Sequence, residues 1–235
     1  MSESAIDKWP ADALMGLFCS REDILAAAKK AASNLYGTAL YDHCVLYYVV
    51  RYLVAYYEAR FQQIPLQVWN EHRMALDHLM RHLSSLGSLE HPFDDDNGSQ
   101  LKSMRSHLLR AALDISKFIV YESSRLLLTT MSFWGAATLR LTKVDGGDES
   151  LLATVLANRD QAETAFQRAK QLDNDLGKSP ENDNTVLGRY LDATFAYTRI
   201  IKLIDQHRAS LEAAIPEADE LTLKLEMARA EATSL

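Results

Sequence analysis

Glycine and proline are scarce in this chain, 9 and 5 among 235 residues. Both are the residues of tight turns, so their scarcity disfavours an all-β fold, and the ordinary hydrophobic and charged fractions, 48% and 24%, disfavour disorder. Cysteine is scarcer still. Cys19 and Cys44 are the only two, they lack metal-type spacing, and so sparse a pair points to a reducing compartment in which both are small core residues. Long apolar runs are missing as well. Arg51 breaks the stretch from Cys44 to Tyr57, Glu122 and Arg125 adjoin the one from Leu126 to Leu139, and neither reaches the ~20 residues of a membrane span. The first twelve residues lack a basic stretch leading into an apolar one, so export is not expected and a cytoplasmic location is.

An excess of positive charge is the last absence. The net charge is -7, and it is uneven: residues 1–143 carry 15 basic and 15 acidic side chains, and residues 144–235 carry 10 and 17. Without a broad positive field, coating of DNA is disfavoured, and any nucleic-acid contact has to be local and specific.

What the chain does contain is helical periodicity. Ser20 and Asp23 form a capping-box-like start to a first helix ending near Tyr36, and Gly37 punctuates it. A second helix, Thr38 to about Gln62, is apolar on most sides and holds Tyr41, Tyr47, Tyr48, Tyr52, Tyr56 and Tyr57, which packing explains better than base stacking does. Pro65 suits the first turn of a third helix running to about Leu86, whose apolar stripe is Trp69, Leu76, Met80 and Leu83. Residues 88–99, with Asp94, Asp95 and Asp96, read as an exposed acidic loop. From Gln100 to about Lys143 there is no proline and one glycine, Gly135, so the spacing predicts one helix of about 40 residues, roughly 60 Å long, bent near Gly135. Asp148 is placed to cap a fifth helix ending near Leu176. A sixth covers about Thr185 to Ala214, and Pro216 opens a short last one. The expected fold is all-α: an N-terminal arm (1–20), a helical bundle (21–143) with one very long helix, and an acidic C-terminal helical extension (144–235) on that helix's far end, like a stalk.

The segment from Trp69 to His82 concentrates ionisable groups on a helix that also has to pack. At 100° per residue, Glu71, His78 and His82 fall near one line, where a carboxylate and two imidazoles can serve as an acid–base set. The plainer reading is a solvated polar face. Two histidines at i,i+4 do not complete a metal set, and no HExxH element is present, so neither metal nor other cofactor is expected. Arg73 falls on the apolar stripe, where an unpaired charge is costly, and Glu71, Asp77 and Asp114 are its candidate partners. On the long helix, Arg105, His107, Arg110, Asp114 and Lys117 form a second polar cluster, with Arg110 and Asp114 spaced for an i,i+4 pair. Glycine-rich phosphate loops and nucleophile elbows are absent, which leaves nucleotide hydrolysis and acyl transfer without support.

The run Arg73-Met-Ala-Leu-Asp-His78 resembles the Arg-x4-6-His signature of the HEPN families, and the helix order around it, with His107 and Arg110 on the following helix, resembles their four-helix bundle over about residues 21–143. That resemblance implies a dimer that cleaves RNA without metal, of the kind used in bacterial toxin and antiviral defence systems. It implies Arg73 as the phosphate-holding residue and His78 as the proton-moving one, with Glu71, Asp77, His82 and Arg110 in support. Within one helix Arg73 and His78 point about 140° apart, so the pair would have to form between two subunits. The alternative from a different class is a non-catalytic helical scaffold that docks on a partner protein or a second copy.

Overall fold

The computed structural model describes residues 20–86, 96–144, 147–175 and 180–233. Seven α-helices account for nearly all of them: α1 (Arg21–Ala31), α2 (Tyr41–Phe61), α3 (Leu66–Leu86), α4 (Asp96–Leu141), α5 (Leu151–Asp175), α6 (Pro180–Gln206) and α7 (Arg208–Thr233), with a 3-10 turn at Ser33–Leu35. No strand occurs among the described residues, and the all-α expectation holds. No helix there is long and apolar enough to cross a membrane.

Local chemistry explains most of the boundaries. Ser20 caps α1, its Oγ accepting from the Asp23 amide at 3.2 Å, the first half of a capping box, while its hydroxyl donates to the Asp23 carboxylate at 2.9 Å. The first helix is shorter than its pattern, because the chain tightens into the 3-10 turn and then reverses at Gly37, whose φ of +80° suits glycine. Gln62, at φ 53°, closes α2 in the left-handed conformation. Ser150, not Asp148, caps α5 by accepting from the Ala153 amide. Pro216 lies inside α7 rather than at its start. Glu212, the residue whose carbonyl loses its partner there, is exposed to water. The acidic loop expected at 88–99 lies outside the described residues over 88–95, and from Asp96 onward the chain is already α4.

The long helix is present, with a real break in it. Gly135 has φ 73° and ψ 155°, a region that residues with a Cβ avoid. The backbone therefore turns at the one glycine of the run, and the last turn, ending at Leu141, follows a new direction.

α4 is the central element and packs against α2, α3, α5, α6 and α7. One apolar cluster joins α1, α2, the middle of α4 and α6 through Ile24, Leu53, Ile115, Ile119 and Phe195. A second joins the later part of α4 to α5, α6 and α7 through Leu127, Leu139, Val155, Phe166, Ile200 and Leu211. The stalk arrangement is not observed. α6 runs beside α4 and α2: Arg105 of α4 donates to Asn184 at 3.0 Å, Thr194 donates to the Ser116 carbonyl of α4 at 3.4 Å, and Tyr56 of α2 meets Thr198 at 3.4 Å. Leu187, Leu191 and Phe195 give α6 an apolar stripe, and it is buried in the cluster shared with α1, α2 and α4.

The tyrosines of α2 divide by position. Tyr52, Tyr56 and Tyr57 are core residues, while Tyr41, Tyr47 and Tyr48 are only partly covered. Cys44 is also only partly buried, a correction to its expected place in the core, and burial raises its thiol pKa. Cys19 lies outside the described residues.

Candidate functional site

α3 rests on α4 and α2 through Val68, His72, Ala75 and His82, which are buried, and Leu79, which is partly so. This reverses the expected orientation. Leu76, Met80 and Leu83 are 38%, 60% and 44% exposed, and the helix lays Glu71, His72, His78 and His82 against the bundle together with Val68, Ala75 and Leu79. The side of α4 that it meets suits this mixed face, because it offers hydrogen-bonding partners beside apolar residues.

Those partners form a polar seam between the antiparallel helices. At one end Gln67 Nε2 donates to Asp114 Oδ2 at 2.9 Å. Next, His107 Nδ1 lies 2.7 Å from Glu71 Oε2, and Arg110 Nε lies 3.7 Å from the same oxygen. The His78 ring stacks on His107 with centroids 5.2 Å apart and planes 21° from parallel, and His78 Nδ1 is 2.8 Å from Gln100 Oε1. Beneath the seam, Ala75, Met104 and Leu108 form a small apolar floor.

The chemistry of the seam follows from these contacts. A carboxylate only accepts, so His107 donates from Nδ1 to Glu71, and that hydrogen bond fixes the ring's orientation. His78 Nδ1 meets Gln100 Oε1 and its ring is oriented in the same way. Asp114, next along the seam, has its carboxyl pKa raised by burial, an effect opposed by Lys117 and by the Gln67 hydrogen bond. Tyr190 and Tyr197, beyond the seam, donate to Asp173 at 3.1 Å and Glu163 at 2.8 Å. Burial, and then the Glu163 hydrogen bond, push the Tyr197 phenol up to about 12, so both act as fixed donors.

The sequence-derived residues separate into three groups. Glu71, His78 and Arg110 meet in the seam, together with His107, which belonged to the polar cluster on the long helix without a role of its own. His82 is 8% exposed and lies under α3. Arg73 and Asp77 lie on the outer side of α3, exposed, and neither has an ion pair among the described residues. The partner expected for Arg73 is not needed, because its stripe faces water. Asp114 binds Gln67 rather than an ion-pair partner at Arg110, which lies on Glu71 and Ser106 instead. Nor is the Glu71 side of α3 a solvated face, since Glu71, His78 and His82 all lie against the bundle. The meeting of Glu71, His78 and His107 depends on the pairing of two helices, which spacing along either helix alone does not reveal.

One further buried imidazole stands apart from the seam. His72 is 4% exposed, lies 4.8 Å from the Tyr47 ring and 5.4 Å from Trp69, and its Nε2 has no hydrogen-bond partner among the described residues. Burial, and then the nearby Arg51 charge, lower its pKa below the usual histidine value. Among the described residues no three His, Cys, Asp or Glu side chains converge as a metal-binding group. A groove of about 560 Å³ opens elsewhere, between α1, α2, α4 and α6. Its rim sets Arg21 and Arg105 against Glu22 and Asp42, so it favours neither sign of charge.

No family model, curated protein or solved structure matches this chain.

Proposed function

We infer that this chain is a helical interaction protein that works by docking the outer side of α3 on a second copy of itself. The observation that carries this reading is the exposed row Leu76, Met80 and Leu83, on a helix whose opposite side is fully engaged by the bundle. Trp69, partly covered and anchored by its indole donating to Glu58 at 2.9 Å, extends the row toward the start of the helix. Charge favours self-association over a foreign partner. Arg73 and Asp77 are exposed and without ion pairs among the described residues, and they straddle position 75. An antiparallel two-fold crossing there sets each Arg73 against Asp77 of the other copy, with the aliphatic row on one flank.

Sedimentation velocity over a concentration series tests this reading. The wild type is expected to form a dimer, and Met80→Asp or Leu76→Asp to give a monomer with unchanged helicity. Arg73→Asp should weaken the dimer, and the reciprocal pair Arg73→Asp with Asp77→Arg should restore it. A monomeric wild type, or a dimer indifferent to all four changes, overturns the proposal.

A second reading, RNA cleavage of the HEPN type, is favoured by the 2.7 Å contact between Glu71 and His107 beside His78. An imidazole with its proton held on Nδ1 has the form required to take a proton from a ribose hydroxyl. Arg73 and His78 occupy opposite sides of α3, so a dimer through the outer side leaves them apart, and their joint use requires a different one. RNA degradation in EDTA, compared among wild type, Arg73→Ala, His78→Ala and His107→Ala, separates the cases. Loss in all three variants supports a shared ribonuclease site, loss only in the two histidine variants places the chemistry in the seam, and an inactive wild type removes the reading.

A further inference from the structure

The groove of about 560 Å³ has a floor of aliphatic side chains: Leu25 from α1, Val45, Leu46 and Val49 from α2, and Leu187 and Leu191 from α6. Its volume is that of sites which enclose a small ligand or a few side chains. The arginines on its rim are already engaged, Arg21 with Asp192 at 3.3 Å and Glu22 at 3.1 Å, and Arg105 with Asn184 at 3.0 Å. An occupant is therefore recognised by its apolar surface and not by its charge. Arg21 and Glu22 are also the first two residues of α1, so the chain that enters this helix does so at the edge of the groove. Immediately before Ser20, residues 13–19 read Ala-Leu-Met-Gly-Leu-Phe-Cys, without a charged side chain. At no more than about 3.6 Å per residue, the chain keeps Phe18 within ~11 Å of Arg21 and Leu14 within ~25 Å. An apolar stretch on so short a tether meets the groove at an effective concentration in the millimolar range, and any occupant arriving from solution has to displace it.

We propose that residues 14–18 of the same chain cover this groove, with Leu14, Met15, Leu17 and Phe18 set against its aliphatic floor. Apolar contact drives the docking, and both surfaces leave water in the process. The N-terminal arm thereby becomes part of the folded unit and closes a site that the helices alone leave open. No residue of α3 takes part, so the proposal stands or falls apart from the docking surface on that helix.

Methyl NMR on the full-length protein reads the contact. In the wild type the Phe18 ring is expected to give NOEs to the Val45 and Leu187 methyl groups. The double change Leu17→Asp with Phe18→Asp should remove them and shift the methyl signals of the groove, while those of Leu127 and Leu139 in the second apolar cluster stay in place. Neither change touches a residue of the seven helices, and circular dichroism checks that helicity is retained. A labelled peptide of residues 11–20 should bind the double variant about tenfold more tightly than the wild type, whose groove is already filled. Absent NOEs in the wild type, groove methyl signals unmoved by the double change, or a peptide that binds both proteins equally would overturn the proposal. Contacts seen only between differently labelled copies would overturn it as well, by assigning the groove to the arm of a second copy.

Discussion

The two sides of α3 are both chemically mixed, and they differ in whether partners meet them. The covered side holds Glu71, His72, His78 and His82 among Val68, Ala75 and Leu79, whereas the uncovered side holds Leu76, Met80 and Leu83 beside Arg73, Asp77 and Arg81. Burial of polar groups is tolerated when partners are waiting for them. Here α4 provides them, with His107 and Arg110 for Glu71, Gln100 for His78 and Asp114 for Gln67. Apolar groups left in water impose no such local requirement, and their cost is recovered only if something else covers them. The comparison teaches that polar groups can help to hold a helix in place where partners await them, while an apolar row on the same helix stays in water.

The sharpest way to break that comparison is to place the same charge on each side at adjacent positions. Ala75→Glu buries a carboxylate at the contact between α3 and α4, where Ala75 is 0% exposed, and should destabilise the fold by about 3–5 kcal/mol. Leu76→Glu, one residue on, should change monomer stability by less than about 0.5 kcal/mol, and urea unfolding of the two variants reads the contrast. A milder perturbation of the covered side is Glu71→Gln. It replaces a charged acceptor facing His107 with a neutral one in a partly exposed seam, and should cost about 1 kcal/mol in the same assay.

Acid should act on the covered side as well. His72 has a folded-state pKa below its unfolded value of about 6.5, so the unfolded chain binds the proton more tightly. Its contribution is fully present above that unfolded value and is lost as pH falls below it. Melting temperatures measured from pH 7.5 to 5.5 should therefore decline, and His72→Phe should flatten the slope. The smallest effect belongs to the outer side: Arg73→Ala, which removes an exposed and unpaired charge, should leave monomer stability within about 0.5 kcal/mol of wild type. A large loss there would show that the outer side is covered in solution even in the monomer.

Much of this architecture was legible in the chain before folding was considered. Ser20 with Asp23, Pro65 and the proline-free run after Gln100 are local signals, and each marks a helix because capping, ring geometry and periodicity act over only a few residues. Gly135 was marked for the same reason, being the one residue of that run able to adopt φ 73°. The helix ends that shifted, Ser150 in place of Asp148 and Arg208 in place of Pro216, did so where several adjacent residues were chemically able to start a helix. The candidate site was legible only in part. Glu71, His78 and Arg110 stood out through residue type and spacing, whereas His107 needed its neighbour on α3 to acquire a role.

The sequence by itself determined the all-α composition of the described chain, the positions of its helices and the place where the long helix breaks, because these depend on interactions within a few residues of one another. Only the tertiary structure decided which side of α3 is covered, which residues face one another across the seam, and that α6 lies alongside α4. Periodicity defines the stripes on a helix but not the partner each one meets, and the α4 groups that meet Gln67, Glu71 and His78 lie 47, 36 and 22 residues away in the chain.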